Sequence, residues 1–232
     1  MLRSFLLVAC VALFSGCYAL QSSTDYYGID TALPSEGVVF VIDVSGSMEG
    51  KQEGTLTDQA RGVAAREAGD AVQNTVGGRV GRLLGGQVRG EATKLGGAKR
   101  ELIPVIRGLD NSTVFTVQTF GGSHDFWRSS LVDASGSNKS LAMTHVNGLD
   151  ADGGTPILGA LERSFNVPGV TTIFLMTDGQ PTDSNAAEIV SRSRQMNNGS
   201  VTLHTIGLGP DQDTDFLRQL AEANGGVYVD RR

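Results

Sequence analysis

The sequence predicts an α/β domain: a doubly wound, mainly parallel sheet flanked by helices and interrupted by one glycine-rich insertion that is helical or flexible. Three observations carry this expectation. Short apolar, β-branched runs recur along the chain, amphipathic segments of helix length separate them, and 232 residues fit one domain. Strands that are apolar at consecutive positions are buried on both faces, and their alternation with helices gives βαβ units. The formal charge of −6 provides no basic face, which excludes nucleic acid as a partner.

The chain opens with one cation, Arg3, and an apolar run from Phe5 to Phe14 that ends in Ser15 and Gly16. Residues 1–16 therefore read as a secretory signal peptide, and the run is far short of the roughly 20 residues a membrane-spanning helix needs. Phe14-Ser15-Gly16-Cys17 resembles the lipobox of bacterial lipoproteins, with Phe where Leu is usual, and implies lipidation at Cys17. Cleavage after Ala19 by an ordinary signal peptidase and a lipobox at Leu7-Val8-Ala9-Cys10 are the competing readings. Once Cys10 leaves with the signal, Cys17 is the single cysteine and has no disulfide partner in the chain, which agrees with a lipid there. Residues 17–36 then form a tether. The expected location is exported and lipid-anchored to a bacterial membrane, with the outer membrane favoured because Tyr18 replaces the Asp of an inner-membrane retention signal; a secreted soluble form is the alternative.

The domain is expected over 37–230. Val38 to Ile42, Thr113 to Phe120, Thr171 to Met176, Val201 to Ile206 and Val227 to Val229 are its strands. Lys94 to Leu109, Ile157 to Phe165, Ala186 to Met196 and Asp215 to Ala223 each carry one apolar face and are its helices. In open sheets of this kind the binding site lies at the carboxyl ends of the strands, near the point where strand order reverses. Asp43 follows the first strand and Asp178 follows the third, so both carboxylates are expected at that edge.

After the first strand comes Asp43-Val44-Ser45-Gly46-Ser47-Met48, a carboxylate with hydroxyls at +2 and +4. Asp152-Gly153-Gly154-Thr155-Pro156 is a glycine-rich loop opening a helix, with Pro156 suited to its first turn. Thr177-Asp178-Gly179 follows the later strand. Asp43, Ser45, Ser47, Thr155 and Asp178 are all hard oxygen donors, a set suited to Mg²⁺ or Mn²⁺, with Ca²⁺ as a further candidate, and unsuited to zinc or copper. A cation held by few protein charges stays electrophilic toward a carboxylate offered by a partner.

Asp43-x-Ser45-x-Ser47, Thr155 and Thr177-Asp178-Gly179 resemble the metal-ion-dependent adhesion site of von Willebrand factor type A (VWA) domains, and the likeness runs over 37–50 and 94–230. It implies a Rossmann-like doubly wound fold. It also implies that Asp43, Ser45 and Ser47 hold the metal directly or through water, that Thr155 joins or leaves with conformational state, and that Asp178 binds directly or through water. The implied activity is metal-dependent binding of a protein partner without catalysis or a small-molecule substrate. The alternative is an envelope assembly protein that uses the fold without metal.

Enzyme readings find less support. Asp43 as a phosphoryl-accepting nucleophile would resemble haloacid-dehalogenase enzymes, whose pattern implies a second Asp at +2, where Ser45 stands. For a hydrolase, His124, His145 and His204 are the available bases, yet no Gly-x-Ser-x-Gly elbow is present. His204 falls in an expected strand as a core residue, His145 on a helix, and His124 in a polar loop beside Asp125.

The insertion, residues 49–93, separates the Ser-x-Ser turn from the helix at Lys94. Residues 51–100 carry nine Lys and Arg against five Asp and Glu and hold 11 of the 31 glycines, so both compositional anomalies coincide there. Val72, Val76, Val80, Leu84 and Val88 recur every four residues, a helical stripe, while glycines inside a helix cost about 1 kcal/mol each. A flexible loop, a helical hairpin packed through its glycines, and a basic segment on anionic lipid are the three readings, and the insertion is expected to extend or gate the partner-binding edge.

Overall fold

The computed structural model describes residues 25–26, 29–30, 37–50 and 93–231. The signal peptide 1–16, Cys17, nearly all of the tether 17–36 and residues 51–92 of the insertion lie outside the described residues. Asp25–Tyr26 (β1) and Ile29–Asp30 (β2) form a small antiparallel ladder. The domain itself begins with Gly37–Asp43 (β3), every residue of which is buried. A single 3-10 turn, Gly46–Glu49, follows it.

Beyond the insertion come helix α1 (Lys94–Gly108), strand β4 (Val114–Phe120), the short strands β5 (His124–Phe126) and β6 (Val132–Asp133), and helix α2 (Gly136–Asn147). Helix α3 (Ile157–Phe165), strand β7 (Thr172–Thr177), helix α4 (Ala186–Asn197), strand β8 (Thr202–Leu208), helix α5 (Thr214–Ala223) and strand β9 (Tyr228–Arg231) complete the chain. The sheet order is β5-β4-β3-β7-β8-β9, with β6 paired to β4. The ladders β3/β4, β3/β7, β7/β8 and β8/β9 are parallel and those of β5 and β6 are antiparallel. This is the doubly wound, mainly parallel sheet expected.

Strand periodicity sorts the core into two layers. Val38, Phe40 and Ile42 pack beneath α1 and α2, whereas Val39 and Val41 pack against α3, α4 and α5. Because each central strand is covered on both sides, its run of apolar residues is continuous rather than alternating. On the first face Phe40, Phe174 and His204 pair in register across three strands, with stacked rings 5.6 and 5.0 Å apart. Each such contact adds about 0.5–1.5 kcal/mol to the burial of the rings. His204 is thereby a core residue, its Nδ1 accepting the Val227 N–H.

Several local expectations are corrected. His124 lies in strand β5, paired to Phe120, and not in a loop, because an edge ladder is a non-local contact that local polarity does not reveal. Pro156 precedes α3 as its N-cap rather than standing inside the first turn. Strand β8 runs two residues further than its apolar pattern.

Chain order reverses at β3: the chain moves out to β4 and returns on the other side to β7. The carboxyl ends of β3 and β7 flank that reversal, where the crossover loops diverge and leave a crevice. No helix among the described residues is long and apolar enough to cross a membrane.

Candidate functional site

The segments after β3 and β4 and the Asp152–Thr155 loop meet at this edge, and backbone bonds fix their relative positions. Val44 donates to Phe120 O (2.8 Å) and accepts from Asp152 N (2.6 Å), Gly46 donates to Gly153 O (3.0 Å), and Gly122 donates to Asp152 O (2.8 Å). Gly153 has φ +80°, and a Cβ there would overlap the backbone of Gly122. Glycine is thus required for the Asp152–Thr155 loop to approach the Ser45–Ser47 turn. Met48, fully buried, anchors the turn in the core.

Asp43 ends β3 with its side chain buried. Its Oδ1 accepts from Ser45 N (2.7 Å), which bends the chain back as an Asx turn, and its Oδ2 accepts from Thr177 Oγ1 (2.5 Å). Register explains the second bond: Ile42 pairs with Met176, so Asp43 and Thr177 stand side by side on neighbouring strands. The Ser45 and Ser47 hydroxyls are hydrogen bonded to each other at 3.0 Å. Thr155 is buried and exchanges backbone bonds with the Thr182 loop, donating to Thr182 Oγ1 (2.9 Å) and accepting from Thr182 N (2.9 Å).

Asp178, the first residue beyond β7, is fully buried. Its Oδ2 accepts from Lys94 Nζ at 3.2 Å, while its Oδ1 has no hydrogen-bond partner among the described residues. Lys94 is itself buried and also meets Asp211 Oδ1 at 2.5 Å. Burial pushes the Asp43 carboxyl up to about 6, against the lowering hydrogen bonds from Ser45 and Thr177, and the nearby Asp178 charge adds to the rise. At Asp211 burial also works upward, yet the Lys94 hydrogen bond, a backbone N–H and the Lys94 charge together hold it below the ordinary carboxylate range.

Asp43 at the end of β3 and Ser45, Ser47, Thr155 and Asp178 beyond the strand ends thus all lie at one sheet edge. No group of three or more His, Cys, Asp and Glu side chains able to hold a metal occurs among the described residues, so the donor set is two carboxylates and three hydroxyls. That chemistry fits a hard divalent cation, and the orphaned Asp178 Oδ1 is the kind of acceptor a cation satisfies. Of the histidines weighed as bases, His204 stands in β8, His145 on α2 and His124 in β5.

Two site residues escape sequence reasoning. Thr177 is the last residue of an apolar strand, and only the register to β3 reveals its role. Lys94 opens the expected helix with no local mark of burial, and residues that bury it are distant in sequence.

Residues 36–71 and 92–230 match the family described as von Willebrand factor type A domain. The break at 72–91 falls inside the segment set apart by composition. Inter alpha-trypsin inhibitor, heavy chain 4 of Mus musculus is 28% identical over 207 residues, 83% of this chain and 18% of that protein. The human von Willebrand factor A domain-containing protein 3A is 32% identical over 116 residues, 49% of this chain and 10% of that protein. The chain therefore spans less than a fifth of either relative. Among solved structures, a von Willebrand factor type A protein from Catenulispora acidiphila superposes with TM-score 0.62 at 22% identity, over 86% of this chain and 39% of that one. BatB from Bacteroides thetaiotaomicron superposes with TM-score 0.55 at 15% identity, over 84% and 89%. Sheet order, the loops gathered at its reversal and a family match over most of the sequence agree, and the chain belongs to the von Willebrand factor type A domain family.

Proposed function

We propose that this chain is a protein-binding module whose edge site, formed by Asp43, Ser45, Ser47, Thr155 and Asp178, takes up a divalent cation and through it an acidic side chain of a partner. Type A domains are a protein-interaction and adhesion fold, which supports binding rather than catalysis. The observation that carries the metal is Asp178 Oδ1: a buried carboxylate oxygen without a donor costs on the order of 1–3 kcal/mol or more. A bound Mg²⁺, or Mn²⁺ or Ca²⁺, would supply Lewis acidity there. Ser45 N and Thr177 hold Asp43 in place, the Gly153 approach holds the Thr155 loop, and Lys94 holds Asp178.

The module is proposed to be exported, cleaved ahead of Cys17 and lipid-anchored there, outer membrane preferred. A second reading, envelope assembly without metal, is favoured by Lys94, whose ammonium already neutralises part of the buried charge. Titrating Mg²⁺ against EDTA in wild type and Asp43→Ala separates them. The metal reading requires a rise in melting temperature and a Mg²⁺-dependent pull-down of envelope proteins, both lost in the variant. If wild type ignores Mg²⁺, it is wrong. Intact-mass measurement of the purified chain, with Cys17→Ser as control, tests the lipid.

A further inference from the structure

We infer that Lys94 is a resident counter-cation of the edge site, whose ammonium sets how strongly that site takes up a divalent ion. This rests on the metal reading above and goes beyond it, because Lys94 donates no lone pair to a metal and acts as a positioning residue through Asp178.

The side chain is built in rather than merely nearby. Lys94 is 1% exposed, and an ammonium is almost never buried to that extent without partners. Its stem runs between two glycines. A Cβ at Gly209 would come within 2.5 Å of Lys94 Cε, and one at Gly50 within 3.4 Å. Gly209 holds φ +80°, and its N–H is bonded to Arg231 O, so the passage is part of the β8 end and not a loose surface groove. At the other end the Lys94 N–H donates to Gly50 O (2.9 Å), which fixes the start of α1 beside the Ser45–Ser47 turn.

The ammonium touches one oxygen of Asp178 and leaves the other unpartnered. Two consequences follow. Asp178 is held with Oδ2 turned toward α1, so Oδ1 is the oxygen left for a cation. The buried carboxylates Asp43 and Asp178 carry two negative charges, and Lys94 cancels one of them. An arriving divalent ion then brings the buried set to a net positive charge, a state that calls for an anionic ligand from outside. Asp211 shares the ammonium, but its side chain is 56% exposed and its charge is screened by solvent.

The two roles make the signs of the effects differ, which a purely structural lysine would not do. Lys94→Met in the full chain should lower the melting temperature in EDTA, because two buried carboxylates lose their counter-charge. The same variant should bind Mg²⁺ about tenfold more tightly by calorimetry, since removing a unit charge a few Å from a divalent ion exceeds one decade even at high effective permittivity. Lys94→Arg should restore the Mg²⁺ affinity toward wild type. Equal or weaker Mg²⁺ binding by a folded Lys94→Met, with wild type responsive, overturns the inference and leaves the metal reading intact. No Mg²⁺ response in wild type overturns both.

Should Lys94→Met fail to fold, Asp211→Ala decides, since its exposed side chain is dispensable to the core and its removal takes away the acceptor on Lys94 Nζ. Freed of Asp211, the ammonium bears wholly on Asp178, and Mg²⁺ affinity should fall about threefold and stay reduced at about 0.5 M salt, where a direct effect of the exposed charge is screened. An unchanged affinity at high salt overturns the inference.

Discussion

Thr177 Oγ1 donates to Asp43 Oδ2 at 2.5 Å and accepts from Gly179 N at 3.0 Å, so one hydroxyl joins the end of β3 to the turn that presents Asp178. Thr177→Val keeps the shape and removes both bonds. It should lower stability in EDTA by about 2 kcal/mol, the cost of leaving buried polar groups unpaired. Urea unfolding of both proteins measures this, and Mg²⁺ binding should weaken in parallel.

Asp43 gives the metal-free protein an unusual pH dependence. Its folded value of about 6 lies above the ordinary 3.8, so between these the native state holds more protons than the unfolded chain. Stability therefore falls as pH rises through that window, by on the order of 3 kcal/mol in total. His145 and His204 are both held low by burial and act with the opposite sign, losing stability as pH falls. The informative quantity is the difference from Asp43→Asn. In EDTA the variant should be the more stable protein at pH 7.5, with the gap closing toward pH 4.5; a gap that does not change with pH rejects this account.

Gly153→Ala should be costly out of proportion to its size. The φ of +80° strains any L side chain, and the added Cβ meets the Gly122 backbone, which cannot yield as a flexible side chain does. A loss of about 2–3 kcal/mol is expected. Because Gly46 N bonds to Gly153 O, Mg²⁺ binding should drop in the same variant, whereas Gly199→Ala, whose Cβ meets nothing within 4 Å, should leave Mg²⁺ binding unchanged.

Phe174→Ala removes the middle ring of the row from Phe40 to His204. The cavity opens between covered layers that cannot collapse freely, and a loss of about 3–5 kcal/mol is expected. Thermal unfolding of the variant and of Phe174→Leu, which refills most of the volume, should rank the two clearly.

The sequence reveals β3, β7 and β8 well because a strand covered on both faces has no polar position to blur its run. It reveals Asp43, Ser45 and Ser47 because they stand at alternate positions where such a strand ends and its turn begins. Thr155 and Asp178 follow once each is placed at a strand end or a helix start. What stays hidden depends on contacts between distant segments. The burial of Lys94 has no local mark, because the Gly209 turn and Asp211 close over it more than a hundred residues later. Thr177 looks like strand filler until register sets it beside Asp43. The helix expected from Lys94 to Leu109 forms as α1 despite Pro104 in its interior, because its apolar face is long enough to mark it.

The bond from Lys94 N to Gly50 O has a wider implication. It brings the two ends of the intervening chain to adjacent points, so the sheet and α1 are indifferent to how many residues lie between them. For a flexible connection between ends so placed, each doubling of length costs only about 0.6 kcal/mol. The same junction is a graft point on the domain: a reporter module spliced there would sit at the rim of the edge site without crossing a strand or a helix.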